Sequence, residues 1–123
     1  MQEDNKKFSE ELKRRIYSWI LRLIKFLDTL SKNDTLCRTV DNQLIRCGTS
    51  IGANYIEAIA GSSKKEFTNF LSHALKSANE SKFWLALLRD SDKGDKNKIN
   101  ELLKELIEIA NILASSIRTL REK

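Results

Sequence analysis

The chain has 123 residues, 41% hydrophobic and 32% charged, with net charge +5, two cysteines, four glycines and no proline. That length suits one domain with a real core but leaves no deep substrate cavity by default. The absence of proline and scarcity of glycine point to an all-helical protein. No apolar run approaches the ~20 residues that cross a bilayer. The start, Met1 to Lys7, lacks the apolar segment of a secretory signal. A cytoplasmic location without membrane contact is expected.

Residues 1–8 are polar and expected to fray. Ser9, followed by Glu10 and Glu11, reads as a helix start, with acids where the helix dipole favours them. The first predicted helix spans about 9–30. Leu12, Ile16, Ile20, Leu23, Leu27 and Leu30 form its core stripe, widened by Tyr17, Trp19, Ile24 and Phe26. A second pattern runs beside it. Arg15, Ser18, Arg22, Lys25, Thr29 and Lys32 recur at steps of three and four, so they share a face without any acid. That face is either solvated or a contact for phosphates or an acidic partner.

One of Asn33, Asp34 and Thr35 should cap the second helix, predicted over 35–60. At about 100° per residue, Val40, Leu44, Cys47, Ile51, Tyr55 and Ala58 fall on one strip. Gly48, Gly52, Ile45, Ile56 and Ile59 adjoin it, and Arg46, Ser50, Asn54 and Glu57 form a polar strip on the other flank. Apolar or small residues thus cover more than half the circumference, wider than the stripe of an ordinary amphipathic helix. This helix should pack on its own fold by one face and on something else by another. Gly48 and Gly52 each cost ~1 kcal/mol of helix propensity, which points to close approach by a neighbour. The polar strip reads as a buried network, with Glu57 paired to Lys82 or Arg46, or as part of a subunit interface.

Gly61 suits a left-handed position past the helix end, and Ser63 with Glu66 reads as a capping box. The third helix, 63–89, builds its core from Phe67, Leu71, Ala74, Ala78, Leu85 and Leu88. Ser91 to Asp95 is the clearest turn. The fourth helix, 97–121, places Ile99, Leu102, Leu106, Ala110, Leu113, Ile117 and Leu120 on one stripe. Leu103, Ile107, Ile109 and Ile112 lie outside or at its edge, a surplus that again points to a subunit interface. Four helices joined by short turns make an all-α, antiparallel up-down four-helix bundle.

No catalytic or metal site is found. His73 shares a polar face with Glu66, Asn69, Lys76 and Glu80. The Glu-x-x-His pairs of metal bundles are absent, and Cys37 and Cys47 match no zinc pattern. Ten residues apart on one helix, those cysteines cannot bridge each other and read as buried thiols. Neither a cofactor nor an enzymatic activity is expected.

Two stretches carry a family likeness. Ser50-Ile51-Gly52-Ala53-Asn54-Tyr55-Ile56-Glu57-Ala58, and the later run from Leu71 through Ala78-Asn79-Glu80-Ser81 to Trp84-Leu85, resemble the bacterial four helix bundle proteins encoded in intervening sequences of large-subunit ribosomal RNA genes. The resemblance covers about residues 15–120 and implies an antiparallel bundle assembled as a homopentamer. It carries Ser50, Asn54 and Glu57 over as signature positions without giving them a role. Related accessory proteins of diversity-generating retroelements share the bundle and work with a reverse transcriptase and nucleic acid. Family members often carry a proline before the second helix; this chain has Ser31 to Thr35 there.

In an up-down bundle, the start of the first helix and the C-terminus share one end, which holds the excess of positive charge. The expectation is a non-enzymatic homo-oligomer that contacts RNA or DNA through Arg14, Arg15, Arg22, Lys25, Lys32, Arg118 and Arg121, without reading bases. The alternative is an accessory scaffold for another protein, such as a nucleic-acid-processing one.

Overall fold

The computed structural model describes residues 2–122. Four helices follow one another: α1 (Gln2–Leu27), α2 (Thr35–Ala60), α3 (Lys64–Asp90) and α4 (Lys96–Arg121). Each packs on the next, and α4 closes on α1, so among the described residues the backbones form a ring in which diagonal helices stay apart. This is the antiparallel four-helix bundle that the periodicity predicts. No helix among the described residues is long and apolar enough to cross a membrane.

The core is continuous, with Leu23, Leu44, Leu85, Leu88, Leu106 and Leu113 fully buried. The α2–α3 seam is the most extensive and the α1–α4 seam the least. Small side chains account for the former: Ala74, Ala78 and Ser81 on α3 are fully buried and let the two backbones approach. The Ser81 hydroxyl donates to the Ser77 carbonyl at 2.8 Å and lies 3.1 Å from the sulfur of Cys47. Both cysteines are free and buried, and burial raises their thiol pKa values, so they stay protonated.

Each start of α2, α3 and α4 has a local cause. Asp34 accepts from the backbone N–H of Cys37 at 2.9 Å, Ser63 from Glu66 at 3.1 Å, and Asp95 from Asn97 and Lys98. The capping box is shifted by one: the Glu66 carboxylate reaches back to the N–H of Ser62 at 2.8 Å, not to that of Ser63. α1 differs most from its prediction. It begins at Gln2, not Ser9, with Glu3 and Asp4 in its first turn, and it ends at Leu27 rather than Leu30. The helical span thus covers residues expected to fray; Met1 lies outside the described residues. Ser9 has become a mid-helix acceptor, its carbonyl receiving the Tyr55 hydroxyl at 3.0 Å.

Gly61 is extended (φ −64°, ψ 146°), not left-handed. It serves for space instead: an added Cβ would lie 3.2 Å from the Ala58 carbonyl oxygen and 3.3 Å from Cβ of Glu66. The left-handed closure falls at the end of α3, on Asp92 (φ 59°). There the N–H of Lys93 bonds the Leu88 carbonyl at 2.9 Å and the N–H of Asp92 bonds Arg89 at 3.2 Å, the paired bonds of a Schellman motif.

Candidate interaction surfaces

Three members of the polar strip of α2, Arg46, Ser50 and Asn54, are hydrogen-bonded within the chain. The Arg46 guanidinium bonds Gln43 on its own helix and Glu80 across the seam, and the Trp84 indole N–H donates to the same Glu80 carboxylate at 3.1 Å. The Asn54 amide donates to the carbonyl and hydroxyl of Ser50, both at 2.9 Å, and Ser77 donates to Ser50 at 3.1 Å. The expected partner of Glu57 is not found: Arg46 is taken by Glu80, and Glu57 is exposed. Arg46 and Ser50 therefore fasten α2 to α3, and Asn54 braces Ser50 from within α2.

The glycines lie on the other flank, against α1. Gly48 packs on Leu23 and Trp19, so the close neighbour is this chain's own first helix. Gly52 sits over Ile16 and Ile20. Where they let the helices approach, the outer edges of α1 and α2 form a groove of ≈ 550 Å³ lined by Tyr17, Ile20, Thr49, Gly52, Ala53 and Ile56 among others. Tyr17 and Ile56 in its lining are 66% and 43% exposed, and Leu21 and Ile45, one helical turn on from Tyr17 and one before Thr49, are 46% and 40% exposed outside it. Tyr17 reads as a core residue in the sequence, and Leu21 belongs to no stripe there. The missed signal is Tyr17, Leu21 and Ile24 at helical spacing, a second apolar strip beside the first. Conversely, the surplus on α4 is mostly absorbed inside: Leu103 and Ile109 are buried, Ile112 is half-buried and only Ile107 is exposed.

The seven expected nucleic-acid contacts do not share one surface. Arg15 is tied to Glu105 at 2.7 Å and Glu108 at 3.2 Å on α4. The Arg15 hydrogen bond holds the Glu105 carboxyl below its ordinary pKa, against the opposing effect of its partial burial. Arg14 pairs with Glu11. Arg22 and Lys25 border a shallow depression of ≈ 200 Å³ with Lys98 and Glu101 of α4, floored by Phe26 and Leu102. Lys32 lies in the turn after α1, and Arg118 and Arg121 are exposed in the last turn of α4, at the other end of the bundle.

His73 is exposed, its ring 6.4 Å from that of Phe70. Among the described residues no three His, Cys, Asp or Glu side chains gather as metal ligands would.

The family model described as 23S rRNA-intervening sequence protein matches residues 9–115. The chain belongs to that family. Its fold is also that of a solved Bacteroides thetaiotaomicron protein, described as one of unknown function from the S23 ribosomal protein family. The two share 32% identity with a TM-score of 0.78, over 89% of this chain and 97% of the other. No curated protein matches the chain. In this member of the 23S rRNA-intervening sequence family, the signature positions Ser50 and Asn54 bond each other, and Gly52 abuts α1.

Proposed function

We propose that this chain is a non-enzymatic, self-assembling bundle protein that holds nucleic acid by its phosphates, acting in the cytoplasm. The observation that carries the reading is the apolar groove between α1 and α2. Fully burying a large apolar side chain contributes roughly 1.5–3 kcal/mol. Tyr17, Leu21, Ile45 and Ile56 are about half exposed, so covering all four yields several kcal/mol. Association costs about 4–15 kcal/mol, so the covering surface must bring apolar area of its own. A second copy supplies such surface, and the family resemblance makes the closed assembly a pentamer. Each copy adds its net charge of +5 to the ring. With Arg15 engaged, Arg22, Lys25 and Lys98 form the group best placed for a phosphate. Phosphate contacts of this kind read charge and not bases.

Light scattering tests both halves. A pentamer has five times the 14.2 kDa of one chain, about 71 kDa. Added RNA, single-stranded or double-stranded DNA should raise that mass in low salt and be released in high salt, because phosphate contacts return their counterions. A monomer would overturn the assembly reading, and an oligomer indifferent to all three polymers would overturn the phosphate reading. The second reading, an accessory scaffold for a nucleic-acid-processing protein, draws on Phe83 and Ile107, 59% and 44% exposed on α3 and α4, outside the groove.

A further inference from the structure

A second cleft lies on the other flank of α1. The α1–α4 seam is the least extensive of the four, and near the start of α1 and the end of α4 it leaves a gap of ≈ 680 Å³. Its apolar surface comes from Leu12, Phe67, Leu71 and Ile112, with Phe8, 54% exposed, among the lining. Its polar surface comes from Asn5, Asn111, Ser115, Ser116 and Thr119. Among the described residues no Asp, Glu, Lys, Arg or His lines it, in a chain that is 32% charged. The α1–α2 groove, the depression beside Arg22 and the hollow lined by Glu3, Lys6, Lys7, Glu10, Glu11 and Arg14 each have at least two ionised side chains in their walls.

We propose that this cleft binds an uncharged small organic molecule with an apolar body and a hydrogen-bonding edge. The volume is in the range of ligand sites, and apolar surface with a few hydrogen-bonding groups is their usual lining. An ionised guest would give up water without meeting a counter-charge, so neutrality is selected. Hydroxyls and carboxamides both donate and accept, which suits a guest with mixed polar groups. Within the lining, only the Tyr55 hydroxyl and Ser9 are bonded to each other among the described residues; the remaining polar groups are free to meet a ligand. The inference is distinct from self-assembly, since the groove proposed for a second copy uses an adjoining face of α1 and shares only Tyr55 with this cleft.

The test uses two probes with one aromatic body: neutral N-phenyl-naphthylamine and its sulfonated analogue, anilinonaphthalene sulfonate. The neutral dye should show saturable fluorescence enhancement, with affinity about tenfold or more above the sulfonate. Ser116→Trp fills the cleft and should abolish the neutral dye's binding, whereas Ala53→Trp, which fills the α1–α2 groove, should leave it intact. Equal affinity for the sulfonate, or loss of the neutral dye with Ala53→Trp alone, would overturn the proposal. Should Ser116→Trp fail to fold, the wild-type chain decides through nuclear Overhauser contacts. Dye protons close to Leu12, Phe67 and Ile112 support the cleft, and dye protons close to Ile20 and Ile56 overturn it.

Discussion

A Cβ added at Gly48 would stand 2.5 Å from Cδ2 of Leu23, a fully buried side chain, with the Trp19 ring 3.6 Å away. Alanine there gains ~1 kcal/mol of helix propensity. It also overpacks a closed part of the core, at a cost of about 1–3 kcal/mol. Gly48→Ala should therefore destabilise by about 1 kcal/mol, lowering the urea midpoint with an unchanged slope. Gly52 differs. Its added Cβ would lie 2.9 Å from Cδ1 of Ile20, which is half-buried beside the open groove and can rotate away. Gly52→Ala should range from neutral to about 1 kcal/mol more stable in the same titration. At Asp92 the left-handed backbone penalises any Cβ, so Asp92→Gly should stabilise by up to ~1 kcal/mol. The exposed Lys96–Asp92 pair that it removes contributes little. Spacing alone reveals that two glycines invite a close neighbour. It does not say that one is shut in and the other opens on a groove, because that depends on the register of α1.

Both turns at one end of the bundle are joined side by side. Leu30 and Phe26, in and before the first turn, pack under Gly94 of the third, and the Lys93 ammonium donates to Asp34 at 2.6 Å. Asp34 also caps α2. Its bond from Lys93, then that from the Cys37 N–H, lowers its pKa from the usual carboxylate value to about 2. A lowered carboxylate pKa contributes stability above the unfolded value of ~3.9 and loses it as pH falls towards the folded value. Asp34→Asn keeps a good cap and removes the titration. Wild type should melt higher than this variant near pH 5, and the gap should close as the pH falls to about 2. Within the core, the buried Trp19 indole donates to the Leu102 carbonyl at 2.9 Å and ties α1 to α4 across their sparse seam. Trp19→Phe should cost about 1–3 kcal/mol, through the lost bond and the space left behind. The helices themselves are legible because period and caps are local. The start of α1 is not: nothing near Ser9 announces that a Tyr55 hydroxyl 46 residues away will bond its carbonyl. Likewise Glu105 and Glu108 answer the cationic stripe of α1 only after the ring closes.

At the scale of the molecule, surplus apolar surface has a definite address. The sequence shows that α2 has more apolar circumference than one core needs, and Ile45 and Ile56 are indeed left outside. It gives the same surplus to α4, which instead buries Leu103 and Ile109, because helical wheels do not show how far a neighbour wraps round. Leu21 and Ile45, a helical turn from the groove residues Tyr17 and Thr49, are 46% and 40% exposed, so charges there meet water in the single chain. The double variant Leu21→Glu, Ile45→Glu should change monomer stability by no more than about 0.5 kcal/mol per site. In an assembled ring the same two carboxylates would be driven into an apolar contact without a partner, a cost of several kcal/mol that association cannot absorb. The double variant should therefore scatter light as a monomer while its circular dichroism remains that of a helical bundle. Phe83→Glu, on the outer side of α3, should leave the assembly intact. If the groove variant keeps its oligomeric mass and Phe83→Glu loses it, the contact between copies lies on α3, and the groove is left for some other partner.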